Sequence, residues 1–558
     1  MRSHLDLPSR DPSADGLKNR FEAYVLSHFP WFWKAIMAVP PLNRLANRII
    51  IDRAVLRAET RPSPLSSMAE RGDVRRPIAG YTSWESLTDL SWFGRHLPPS
   101  DLGAPEHPLG PLPSLDAVEE LFRVHPDGPT KSETSSVLLL SFAQWFTDGF
   151  LMTLTEDPRK THSLHQIDFN TLYGLSRAES DAIRLMSEAP GERGRLKVEV
   201  EPKSGEAFAP AYFDEAGNPR PEFAALRPPL RLDEHLAKLP PETAAEVKRH
   251  VFAFAGERAN TTPYTAMLNT LFLREHNRLA GLIEKAHPDW NDERVFQTAR
   301  NVNVVLLIKI VIEEYINHLA PYHFQLRADP SVAWRAHWNK PNWMPIEFNL
   351  LYRWHSFTPT HFEIEAEPAP IETQIYNHAV LKRIGLGQAM QRASDQRAWN
   401  LGLQNTAKAL LPVERASVAQ GRRNQLASYN DYREFYGYGR VTRFDQITGD
   451  PDRQALLSKL YDGEVDKVEF FVGLFAEDVS PGAAVPPLIG RMVALDAFSQ
   501  ALPNPLLSEH VFNARTFSET GLAEINATRR LSDILHRNLG PDRNRYRVSF
   551  TLPAYRKG

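Results

Sequence analysis

Two consecutive runs, Thr265 to Ala286 and Asp292 to Leu319, repeat apolar residues at three- and four-residue spacing. That period lays one apolar face along a helix. Two such runs in succession commit the protein to long, packed helices. Ser136 to Leu154 and Pro241 to Phe254 share the pattern, and 370–540 reads as helical segments split by Pro and Gly. Alternating strand patterns are few and no internal repeat is present, so the expected fold class is mainly α. Residues 1–16 are polar and expected to be disordered. Residues 54–135 are rich in loops and proline, and 190–235 read as a long surface excursion.

The protein has 558 residues, 42% of them hydrophobic, enough for several cores. Length alone suggests about three or four domains, although a large helical enzyme can fold around one cofactor as a unit. A net charge of -3 argues against a nucleic-acid partner. With no cysteine, disulfides, thiolate metal sites and thioether-attached haem are excluded. The start, Met1 to Asp6, lacks the apolar core of a signal peptide, and no run of about twenty apolar residues is evident. A cytoplasmic protein with peripheral membrane association is expected. Phe21 to Met37 is crowded with aromatics, and Arg44, Arg48 and Arg53 surround Ile49-Ile50-Ile51. Helices of this kind suit a membrane interface; a helix pair docked on the core is the alternative.

Chemistry concentrates in Glu347-Phe348-Asn349-Leu350-Leu351-Tyr352-Arg353-Trp354-His355. Read as a helix, Tyr352 and His355 share a face. An imidazole can hold a haem iron, and a phenol beside that iron can be oxidised to a radical. A buried histidine with one hydrogen-bond partner is the plainer alternative. Arg274-Glu275-His276-Asn277-Arg278 lies on a strong amphipathic helix. Its Glu and His are adjacent and share no face, so it reads as a buried polar network joining helices.

That last motif resembles the hallmark helix of the animal-type haem peroxidases. Phe296 to Arg300, Ile308 to Tyr315, Tyr322-His323-Phe324, Glu347 to His355 and Tyr81-Thr82-Ser83-Trp84 are similar to the cyclooxygenase branch of that superfamily. The similarity runs from about residue 20 to about 540. It implies a haem peroxidase fold with an amphipathic membrane region at 17–56, one catalytic domain at 57–545 and a tail at 546–558. By the resemblance, His355 is the proximal haem ligand and Tyr352 the tyrosine whose radical takes a hydrogen atom from a fatty acid. Phe348, Leu351 and Trp354 line the fatty-acid channel or hold the phenol. Arg53 and Tyr322 hold the substrate carboxylate, and Ser499 lines the channel.

The distal side departs from the family. Ser141 to Phe150 matches the helix above the haem, and Gln144 fits, but the distal histidine position is Asp148. That histidine moves the proton of the incoming peroxide. Asp148 is either a carboxylate acid–base or the mark of a degenerate peroxidase half. Gly256 to Thr261 resembles the segment with the distal arginine, which makes Arg258 a partner for Asp148. The carboxylates that esterify haem in the mammalian peroxidases fall on Thr147 and Thr261, which implies non-covalent haem b. A calcium-binding aspartate of some members falls on Gly149, so calcium is not expected. Phe471 stands where cyclooxygenases have a tyrosine that contacts the proximal histidine through water.

The leading expectation is a haem-dependent fatty-acid dioxygenase that takes a fatty acid and O2 at a membrane surface and gives a hydroperoxide; a homodimer is compatible with the resemblance. The alternatives are a haem peroxidase or peroxygenase with Asp148 as acid–base, and a haem-binding protein whose catalysis has lapsed.

Overall fold

The helical period of the sequence is realised in a computed structural model that describes residues 9–55, 89–340, 343–540 and 545–553. In sequence order the helices that build the site are α1 (Leu17–Ser27), α2 (Pro30–Ala38), α3 (Pro40–Val55), α4 (Val137–Thr147), α5 (Pro263–Ala286) and α6 (Asp292–Ile310). There follow α7 (Ile346–Leu351), α8 (Leu411–Arg423), α9 (Pro487–Ala501), α10 (Ala514–Ala527) and α11 (Leu531–Asn538). Three two-stranded antiparallel pairs are the sheet content of the described residues. They join β1 (Lys131–Ser136) to β6 (Arg397–Trp399), β2 (Glu199–Val200) to β3 (Ala207–Phe208), and β4 (His361–Phe362) to β5 (Ala369–Pro370). The expected mainly α class is observed.

The two longest helices start on strong signals. Thr262 caps α5 by accepting from the Thr265 N–H, with Pro263 in the first turn. Asn291 caps α6, and Asp292 and Glu293 meet the positive end of its dipole. The two pack against each other, with α4, α10 and α11 around them. After Ile310 the backbone runs on as a π-helical stretch, Val311–Ile316. A π turn shifts side chains off the α register, here at Tyr315. The whole run Asp292–Leu319 is long and apolar enough to cross a bilayer, contrary to the expectation of no such segment. Most of its apolar window is nevertheless buried among other helices.

The Arg274 to Arg278 motif is the expected polar network. Glu275, fully buried, accepts from Arg278, Arg537 and Asn538 and so ties α5 to α11. His276 accepts from the Tyr173 hydroxyl at 2.8 Å through Nδ1 and donates to the Gly194 carbonyl at 2.8 Å. Burial pushes its pKa down to about 3, so the ring is neutral. Asn277 bonds the backbone of Leu196, and Arg274 pairs with Glu206.

Two expectations are corrected. Residues 190–235 are more than a surface excursion, because Leu196, Phe208, Tyr212, Phe213, Phe223 and Leu226 are buried in the core. Part of the start expected to be disordered is ordered: Pro12–Asp15 form a 3-10 turn, and Asp15 accepts from buried Arg433 at 2.9 Å. The helices α1–α3 dock on the core and also leave apolar side chains exposed. Trp33 docks on Phe324 and Asn47 bonds Arg327, while Leu17, Phe21, Tyr24, Trp31, Leu45 and Ile49 face solvent. The segment Tyr81 to Trp84 lies outside the described residues.

Candidate active site

The helix carrying the tyrosine–histidine pair stops sooner than the sequence suggests. α7 ends at Leu351, Tyr352 leaves helical geometry, and His355–Phe357 form a separate 3-10 turn. Side chains take the carbonyls freed at the helix end. The Trp354 indole donates to the Leu351 carbonyl at 2.8 Å and Arg353 Nε to that of Asn349 at 3.3 Å. Tyr352 and His355 are therefore not on one face of one helix. A capped turn separates them.

Tyr352 is buried in a box of rings. Phe348 meets it edge-on at 4.8 Å, Trp354 stacks at 5.2 Å, and Phe150 stands edge-on at 6.5 Å between ring centroids. Leu351 is buried on the same turn. Tyr315, on the π-helical stretch, stacks on Trp354 at 6.4 Å between ring centroids, and its buried phenol and that of Tyr352 act on each other electrostatically. Burial raises the pKa of Tyr352, so it is protonated at physiological pH. The charge of fully buried Asp496 reaches the same phenol. Asp496 pairs with His96 at 3.0 Å, and Ser499, one turn further along α9, donates to its carbonyl at 3.3 Å.

His355 has its Nδ1 tied to Glu414 of α8 at 3.1 Å, and the second oxygen of this buried carboxylate accepts from Thr406 at 2.8 Å. A ring nitrogen that faces a carboxylate carries the proton. That leaves Nε2 as a lone-pair donor with no hydrogen-bond partner among the described residues. Phe471, placed by the sequence beside this histidine, packs on Phe122 and Phe475.

On the distal side Gln144 is the exposed residue of a largely buried α4, and Asp148 follows the helix end. Asp148 lies 3.7 Å from the Arg258 guanidinium. The loop that carries Arg258 is drawn in at Gly256, where a Cβ would sit 2.6 Å from the Thr171 carbonyl oxygen. Arg258 also donates to the Leu151 carbonyl. Burial pushes Asp148 up to about 6, against the pull of Arg258 and Arg353. Arg353 is held down to about 10 by burial and by Arg258, and it responds to both Asp148 and Glu414. One guanidinium thus links the two sides of the site. The Thr147 and Thr261 hydroxyls bond the carbonyls of Gln144 and Arg258.

These groups fit a haem: a free imidazole nitrogen with a fixed tautomer, polar groups opposite, and two guanidiniums as counter-charges for carboxylates. The two residues expected to hold the substrate carboxylate have different neighbours here. Arg53 binds Glu22 of α1, and the cation that acts on Tyr322 is Arg491. Sequence reading missed Glu414, Arg353, Arg491 and Asp496. Tyr315 falls within one of the family-like segments but carried no assigned role.

Comparison with known proteins agrees with this architecture. The protein is 30% identical over 515 residues to prostaglandin G/H synthase 2 of Equus caballus, covering 90% of its own length and 78% of that protein. It is 30% identical over 504 residues to prostaglandin G/H synthase 1 of Rattus norvegicus, covering 89% and 77%. Among solved structures, the fatty acid alpha-dioxygenase of Oryza sativa superposes with a TM-score of 0.65 at 17% identity, covering 83% of the protein and 84% of that structure. Peroxidase A of Dictyostelium discoideum does so with a TM-score of 0.60 at 19% identity, covering 80% and 93%. The family model for animal haem peroxidase matches residues 160–547, and the protein belongs to that family.

Proposed function

We propose that this protein is a haem-dependent fatty-acid dioxygenase that works through a radical on Tyr352. The observation that carries the reading is the ring box around a buried, protonated Tyr352, three residues from a histidine whose free nitrogen is presented by a carboxylate. His355 would hold a non-covalent haem b through Nε2, with Arg258 and Arg353 available to its carboxylates. When bound, haem supplies the one-electron oxidant for a phenol. The protein's own residues do the rest. Tyr352, once it has lost an electron and its proton, takes a hydrogen atom from an activated C–H of the fatty acid and becomes a phenol again. O2 adds to the carbon radical. The resulting peroxyl takes the hydrogen atom back from the Tyr352 hydroxyl, which gives the hydroperoxide and restores the radical. Phe348, Trp354 and Phe150 exclude water and hold the phenol ring in place.

Asp148 gives this enzyme its own peroxide handling, which joins the dioxygenase and peroxidase readings. A carboxylate poised near pH 6 beside Arg258 can take a proton from a hydroperoxide and return it. The solvent-facing aromatics of α1–α3 support peripheral attachment to a membrane, from which an insoluble acid would enter. The test is oxygen uptake by haem-loaded protein with a polyunsaturated fatty acid. Uptake is expected in the wild type and abolished in Tyr352→Phe with the haem spectrum intact. Equal uptake by the variant would overturn the radical role.

A further inference from the structure

A fatty acid lying at Tyr352 needs a cation for its carboxylate, and the cation expected from the sequence is engaged elsewhere. Arg53 is satisfied by Glu22 and half exposed. Arg491, on α9, is in the opposite condition. Among the described residues its Nε is buried and without a hydrogen-bond partner, and its Nη2 reaches only Asn19 Oδ1 at 3.4 Å. No carboxylate pairs with it among the described residues. Its guanidinium lies 6.0 Å from the centre of the Tyr438 ring, and its charge acts on the phenols of both Tyr438 and Tyr322. Neither of those hydroxyls has a hydrogen-bond partner among the described residues. An arginine with an unmade buried donor is costly. An arginine flanked by two idle phenol donors is complementary to a carboxylate.

The placement gives the site a direction. Asn19 belongs to α1, and α9 packs on α3, so Arg491 stands where the amphipathic helices meet the catalytic core. Along α9 the next polar positions are Asp496, whose charge reaches Tyr352, and Ser499. At about 1.5 Å per residue, Ser499 lies about 12 Å along the helix axis from Arg491. α7, which leads into Tyr352, packs on this same helix.

We propose that Arg491, with the hydroxyls of Tyr322 and Tyr438, is the carboxylate site for a long free fatty acid stretched along α9. Tyr352 then meets the acid at mid-length and not at the carbon beside the carboxylate. The substrate class is an unsaturated free acid, because an interior C–H bond of an acyl tail is weak enough to react only beside double bonds. The inference rests on Tyr352 being the group that abstracts hydrogen, so binding and oxygenation are measured separately.

The probes are linoleic acid and its methyl ester, with full-length, haem-loaded protein. Arg491→Gln is expected to weaken binding of the acid at least about tenfold and to leave the ester within about twofold. Arg491→Lys, which keeps charge but loses the planar fork, is expected to fall between, and Arg53→Gln to match wild type. Tyr352→Phe should bind the acid normally. Mass analysis of the wild-type product should show the hydroperoxide at an interior carbon of the acid. Equal acid affinity in Arg491→Gln and wild type, a tenfold loss in Arg53→Gln, or oxygenation at the carbon next to the carboxylate would each overturn the assignment. Arg491-dependent binding without oxygen uptake would sink the radical reading and leave the carboxylate site standing.

Discussion

Replacing Glu414 by glutamine keeps the shape of the His355 partner and removes its charge. In the wild type the buried carboxylate accepts from His355 Nδ1 at 3.1 Å and from Thr406 at 2.8 Å. A hydrogen bond to a charged acceptor contributes roughly 1.5–3 kcal/mol against 0.5–1.5 for a neutral pair. The variant therefore loses about 1–2 kcal/mol of support for electron density on the ring. That density favours the ferric over the ferrous state, so the preference falls by about tenfold, or ~59 mV in a one-electron couple. A redox titration of the haem-loaded protein should show the midpoint of Glu414→Gln raised by this order, with a lower iron–histidine stretching frequency. Thr406→Val removes the competing donor, sends more of the carboxylate's charge to His355, and should shift both readouts the other way. Thr406 is fully buried and valine matches its shape, so the change opens no cavity and its cost is the one hydrogen bond lost to Glu414. Unchanged midpoints, or shifts of the same sign in both variants, would show that Glu414 only anchors α8.

Other consequences are equally open to measurement. Asp148 is lifted to about 6, so it is protonated below that pH and a base above it. If it takes the peroxide's proton, kcat/KM for peroxide should rise through about pH 6 and level off; Asp148→Asn should be slow and flat, and an unchanged rise in that variant would exclude the role. Glu275→Gln strips the charge from a buried carboxylate that serves Arg278 and Arg537. Breaking such a pair costs about 3–5 kcal/mol, and denaturant unfolding should register it. Phe21 and Trp31 are exposed on α1 and α2. Burying each in lipid is worth about 1.5–3 kcal/mol, so the double serine variant should lose more than tenfold in vesicle co-sedimentation while thermal stability holds.

The parts of this molecule that could be read in advance are those written in local period. α5 and α6 follow from apolar spacing and capping residues, and the Arg274 to Arg278 network from polar groups on the inner face of an apolar helix. The end of α7 could not be read. Periodicity runs on through Arg353, and the helix stops because Trp354 and Arg353 turn back onto freed carbonyls, which depends on what packs around them. Glu414 lies 59 residues from His355 in sequence, and only the docking of α8 joins them. Arg53 was assigned by its order in the sequence, yet its partner is decided by how α1 lies on α3. Arg491 did leave a trace: a lone arginine within Leu488-Ile489-Gly490-Arg491-Met492-Val493 must find an anion or leave a donor unmade.

The most direct test of the account is to trap the radical. Haem-loaded protein carrying ring-deuterated tyrosine is mixed with peroxide, frozen within milliseconds and examined by electron paramagnetic resonance. A tyrosyl signal that narrows on deuteration, is absent in Tyr352→Phe, and decays on adding linoleic acid with matching hydroperoxide formation is the predicted result. A signal that persists in Tyr352→Phe, or that fatty acid does not quench, would contradict it.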